Sequence, residues 1–111
     1  MTAPKLVLAA ASLVLSATAL AQYPTKPIRI ISSFPPGGTT DVLARIIATE
    51  MTKTISQPLF VENKAGAGGI VGTNAIAQAP ADGHTIGMII SAHAVHPGID
   101  TKLPYDSGRD F

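Results

Sequence analysis

The sequence predicts an α/β fold, a partial parallel sheet laid down as β-α-β-α-β, on three observations. Short β-branched or apolar runs alternate with segments of helical spacing, a glycine-rich turn separates each of the first two runs from the helix after it, and the runs lack the polar alternation of a strand with one wet face. Right-handed crossovers follow as the default, and the predicted strand order is 2-1-3. Strands this apolar call for cover on both faces of the sheet.

After Tyr23-Pro24-Thr25-Lys26-Pro27, whose prolines favour extended backbone, Ile28 to Ser32 reads as the first strand. Phe34-Pro35-Pro36-Gly37-Gly38 breaks it, and Thr39 or Thr40 can cap a helix with Asp41 in its first turn. From Val42 to Ile55, Val42, Leu43, Ile46, Ile47 and Met51 recur at helical spacing and are expected to pack. Arg45, Thr49, Glu50 and Lys53 form the wet face. Pro58 closes that segment, and Leu59-Phe60-Val61 reads as a very short second strand. Glu62 to Gly69 is the second breaker. A second helix is expected from Ile70 to Ala79, ended by the turn Pro80-Ala81-Asp82-Gly83. Thr85 to Ile90 is the third strand, apolar enough to be central in a sheet. Ser91 to Phe111 has turn residues and little periodicity, so the sheet looks unfinished.

Composition narrows the function classes. The 111 residues include no cysteine and no tryptophan, 46% are hydrophobic and 14% charged, which excludes a disulfide-stapled miniprotein, a cysteine-ligated zinc module and a charged disordered tail. A net charge of +1 without a basic run speaks against nucleic acid as a partner. At most one domain fits. Lys5, the uncharged run Leu6 to Leu20 and the small-x-small site Ala19-Leu20-Ala21 read as a cleavable export signal over residues 1–21, with Gln22 the new N-terminus. The rival is a retained membrane anchor, but the run is short for a span and rich in Ala and Ser.

In open parallel sheets, ligands sit beyond the carboxyl ends of the strands, where loops lead into helix N-termini. Both glycine-rich turns fall there, and together they make a polar cradle for a small anion. Tight strand-to-helix connections explain the same glycines without any ligand. A nucleotide-binding enzyme is the competing reading. Gly66-Ala67-Gly68-Gly69-Ile70-Val71-Gly72 contains G-x-G, but Val71 stands at the third glycine position and Ile90-Ser91 offers no carboxylate for a ribose. A Walker loop is missing. His93 and His96 lack the third and fourth ligands of a zinc site, so no metal or other cofactor is expected. Ser32, Ser33 and Ser91 lie outside any nucleophile elbow, which leaves no catalytic candidate. Lys64 beside Glu62 reads as a solvated ion pair.

The residues also carry a family resemblance. Tyr23-Pro24-Thr25-Lys26-Pro27-Ile28-Arg29, Phe34-Pro35-Pro36-Gly37-Gly38 with Asp41 and Ala44-Arg45, Val61 through Gly69, Asp82-Gly83, and Leu103-Pro104-Tyr105-Asp106 with Asp110-Phe111 occur in order. Together they resemble the N-terminal part of the Bug-type receptors, the substrate-binding proteins of tripartite tricarboxylate transporters. The resemblance implies a periplasmic two-lobed protein of the type II, Venus-flytrap fold that delivers a small organic carboxylate to membrane transporter subunits. Residues 22–111 would be part of its first lobe, with the second lobe absent, so the chain is expected to be a truncated product or fragment. In the family, loop backbone groups and bridging waters hold the carboxylate. Carried over, the ligand-binding residues are Phe34, Pro36, Gly37, Gly38 and Thr39 in the first loop, Ala67, Gly68 and Gly69 in the second, and Ser91 and His93 on a third wall. His96 and Gly98 stand where an Asn-Pro-Ser/Ala type of loop is common, a departure at that third wall.

Overall fold

Ile28-Arg29-Ile30-Ile31-Ser32 forms β1, and its β-branched side chains explain why it is the most thoroughly buried segment of the protein. The computed structural model describes residues 23–100 and 102–111; the predicted export signal lies outside the described residues. After β1 come α1 (Thr39–Thr52), β2 (Leu59–Asn63), a 3-10 turn (Ala67–Gly69), α2 (Ile70–Ala77), β3 (Thr85–Met88) and α3 (Ala92–Ile99). The three strands are parallel in the order β2-β1-β3, as the alternation of strands and helices predicts. Ile30 stands opposite Val61 on one side and Ile86 on the other. β3 is therefore an edge of the described sheet despite its apolar sequence, and it stops two residues short of the expected Ile90.

Helix α1 covers one face, where Ile30, Ala44 and Ala48 form the core with Leu59, Val61 and Met88 packed around them. Alternation along β3 turns Gly87 to the other face, and there Ile76 of α2 lies against it. Gly72 brings α2 closest to the sheet: a Cβ on it would stand 2.6 Å from Ser33 Cα and 2.7 Å from the Lys64 carbonyl oxygen. Only a residue without a side chain fits that approach.

The buried face of α1 is not the expected one. Val42, Leu43, Ile46 and Ile47 are 41–54% exposed, while Thr40, Asp41, Ala44 and Ala48 face inward. Two physical causes fix this rotation. Alanine lets the helix backbone approach β1, which a large side chain would hold away. Asp41 is held inward by hydrogen bonds to Gly37 and Asn63, described below, and a quarter-turn of the helix would break them. The start of the helix also differs from expectation. Gly38 occupies the N-cap position without a side-chain cap, and the Thr40 hydroxyl instead accepts from Ser32 Oγ at 3.2 Å. The segment read as turns contains α3, two short turns with Pro97 inside them.

Candidate functional site

Ser32 and Asn63 are register partners at the carboxyl ends of β1 and β2, so the loops that leave them emerge side by side at one edge of the sheet. Their contact is direct. The Phe34 ring covers Gly69, where a Cβ would lie 3.1 Å from the ring carbon Cζ. The Asn63 side-chain amide ties the two loops together, donating to the Phe34 carbonyl at 3.1 Å and to Asp41 Oδ1 at 2.9 Å. Asp41 accepts in turn from the Gly37 N-H at 2.9 Å and from Arg45 Nε at 3.0 Å. These bonds hold its carboxyl well down, at about 2, with Arg45 the leading cause and Gly37 and Asn63 next. Gly37 itself has φ +84°, a left-handed conformation that a side chain would strain. A buried carboxylate thus sets the shape of the first loop.

The donors available to a ligand follow from what this network uses. Gly37 N-H is spent on Asp41, and Gly38 N-H donates to the Pro35 carbonyl at 3.3 Å. The amides at the start of α1, Thr39 and Thr40, and at the start of the 3-10 turn, Ala67 and Gly68, have no partner within their helices. Pro36, Gly37, Thr39, Ala67 and Gly68 are exposed along the rim, Phe34 and Gly38 are half-buried, and Gly69 is buried beneath Phe34. The Ser33 hydroxyl, 1% exposed at the end of β1, has no hydrogen-bond partner.

The third wall is more divided. Ser91 is exposed at the start of α3, and its carbonyl accepts from the Ala94 N-H at 3.0 Å. His93 turns into an aromatic cluster, stacked on Tyr105 at 5.8 Å between ring centres and edge-on to Phe111 at 5.0 Å. His96 comes to the second loop instead: a Cβ on Gly68 would lie 3.7 Å from His96 Nε2. Asn63, Asp41 and Ser33 are therefore the side chains that reasoning from sequence did not place in the site, and His96, expected on the third wall, faces the second loop. Asn63 and Asp41 stood within the recurring motifs, whereas nothing in the sequence marks the buried Ser33 hydroxyl.

A groove of about 600 Å³ lies elsewhere, between α1 and the open side of β2, lined by Ala48, Thr49, Thr52 and Leu59 among others. It exists because β2 has no outer neighbour among the described residues, and its polar members are already engaged, Arg45 with Asp41 and the Thr49 and Thr52 hydroxyls with carbonyls of their own helix. Lys64 bonds Glu62 at 2.9 Å and Arg29 bonds it at 3.1 Å, so these charges are paired beside the loops.

A family model described as "Tripartite tricarboxylate transporter family receptor" matches residues 43–111. The chain is 42% identical over 91 residues to BugT of Bordetella pertussis, an alignment that takes in 80% of this chain and 28% of BugT. The periplasmic binding protein BugD superposes with a TM-score of 0.76 at 35% identity, over 80% of this chain and 30% of BugD. MatC from Rhodopseudomonas palustris, solved with bound malate, gives a TM-score of 0.70 at 35% identity, over 80% of this chain and 31% of MatC. The chain spans less than a third of each of these relatives.

Proposed function

From the premise that the chain belongs to the tripartite tricarboxylate transporter receptor family, we propose that residues 22–111 supply the carboxylate-binding edge of the first lobe of a periplasmic solute receptor. The observation that carries this reading is the pair of loops at the ends of β1 and β2, locked to each other through Asn63. They present helix-start amides side by side, which suits an anion. The ligand is a small organic carboxylate, held by the loops from Phe34 to Thr39 and from Ala67 to Gly69 with Ser91 and His93 behind them. Residues 1–21 are the export signal. Membrane subunits of the transporter are the partners that receive the ligand. The role is binding and delivery, with no catalytic group and no cofactor.

Affinity of this chain alone is expected to be millimolar. Good small-molecule sites bury about 70–90% of their ligand, and a single edge of loops leaves one side of the anion in water. Titrating the isotope-labelled chain with malate, followed by amide shifts, tests the proposal: the amides of Thr39, Thr40, Ala67 and Gly68 should move together. The same titration with NAD and ATP addresses the nucleotide reading. Shifts of the second loop with a nucleotide and none with malate would reverse the assignment.

A further inference from the structure

Of the three histidines, His84 is engaged by Asp82 at the far end of the sheet and His93 is held between Tyr105 and Phe111. His96 is different. It stands in the last turn of α3, half-buried, with one ring nitrogen facing Tyr105 and the other facing the second glycine loop. Tyr105 is only 7% exposed, and its hydroxyl lies 3.5 Å from His96 Nδ1. The opposite nitrogen, Nε2, is at van der Waals reach of the place a Gly68 side chain would occupy, over the turn whose first amides lack partners within the helix.

We propose that His96 is the side-chain hydrogen-bond donor of this binding edge, presenting Nε2-H over Gly68 to a ligand carboxylate, with Tyr105 as the positioning residue that selects this tautomer. The inference rests on the proposed function and names the side chain that adds specificity to it. A neutral imidazole carries one N-H and one bare nitrogen, and the hydrogen bond made by one fixes the role of the other. The Tyr105 hydroxyl can rotate to donate to Nδ1, which leaves the proton on Nε2. A carboxylate has two oxygens: one can take the loop amides and the other the imidazole. A neutral acceptor such as the corresponding amide would forfeit the charge-assisted bond. Backbone amides alone hold any anion. A ring donor beside them, backed by a buried tyrosine, gives the wall a direction. The neighbouring ring of His93 stacks on the same Tyr105 at 5.8 Å between ring centres.

The test is a titration of the full chain with sodium malate, read by backbone amide shifts and by the imidazole nitrogen shifts of His96. The expected result is that malate moves the Ala67 and Gly68 amides and His96 Nε2 together, while malamide does not move them. H96F should weaken malate about tenfold, the loss of one hydrogen bond to a charged group. H96Q, which keeps a donor near Nε2, should recover most of the affinity, and Y105F should raise the population with the proton on Nδ1 and weaken malate less than H96F does. Equal malate affinity in the wild type and H96F, with the glycine-loop amides still responding, would overturn the role of His96 and leave the proposed function standing. If H96F fails to fold, the wild-type nitrogen shifts decide: a His96 Nε2 that stays unmoved while Gly68 responds also overturns it. No response from either loop in the wild type removes the proposed function and this inference with it.

Discussion

Asp41 shows how much the shape of the proposed binding loop depends on one buried carboxylate behind it. It joins the Gly37 amide, the Asn63 side chain and Arg45, and so ties together the first loop, the end of β2 and α1. Removing the amide by Asn63→Ala leaves the Phe34 carbonyl and an Asp41 lone pair without their donor. Thermal melts should show a loss of about 1–3 kcal/mol. The pH dependence has a definite sign. A carboxyl lowered from 3.8 to about 2 binds its proton less readily in the folded state, so its contribution to stability is complete well above pH 3.8 and is lost as the pH falls towards 2. Asp82, lowered to about 2 by Lys26 and the His84 amide, titrates in the same window. An acid titration followed by circular dichroism should therefore be flat from pH 7 to about pH 5 and fall below it; Asp41→Asn should lower the starting stability and remove part, not all, of that fall. The glycines of the first loop should separate as well. Gly37→Val meets φ +84° and strains the loop by about 1–2 kcal/mol, whereas Gly38→Ala, at φ −74° with its nearest neighbour the Pro35 carbonyl at 3.4 Å, should fold normally. A Gly38→Ala chain that melts as low as Gly37→Val would contradict this account.

At the scale of elements, the strands were legible because β-branched runs leave few alternatives, and their order followed from parallel crossovers with glycine turns. The rotation of α1 was not legible. Hydrophobic spacing selects Val42, Leu43, Ile46 and Ile47, but what a helix buries depends on how close it must come, and here Ala44 and Ala48 permit contact with Ile30. Asp41 read as a helix-start charge because its tie to Asn63, 22 residues away, leaves no mark in local spacing. Helix α3 escaped notice because it is only eight residues long and contains Pro97. The consequence for substitution is an inversion of the usual rule. Ala44→Leu, a change to a larger apolar residue at a fully buried position, should overpack the sheet and cost about 1–3 kcal/mol. Val42→Lys and Ile46→Lys should change stability by less than about 0.5 kcal/mol and make the protein more soluble. Equilibrium unfolding of the three variants checks both halves; a large loss from the lysines would mean that the exposed stripe is packed after all.

At the scale of the molecule, apolar surface is exposed on the sheet and on its helix among the described residues. Phe60 and Ile86 are exposed on the outer strands, Val42, Leu43, Ile46 and Ile47 are exposed on α1, and β3 has no second neighbour among the described residues. An open apolar edge is a template for pairing with another chain. Sedimentation of the purified protein should accordingly show association that grows with concentration and shrinks in the Ile46→Lys variant; a strictly monomeric wild type at high concentration would refute it. The central place of β1 carries a further meaning, one of time rather than space. Its edges wait for β2 and β3, which lie a full crossover helix and then two crossovers further along the chain. The most apolar stretch of the sheet is thus made first and satisfied last, and the cost of closing those long loops precedes any reward from pairing. A polypeptide built this way is expected to leave β1 with an unpaired edge until the second crossover has been made.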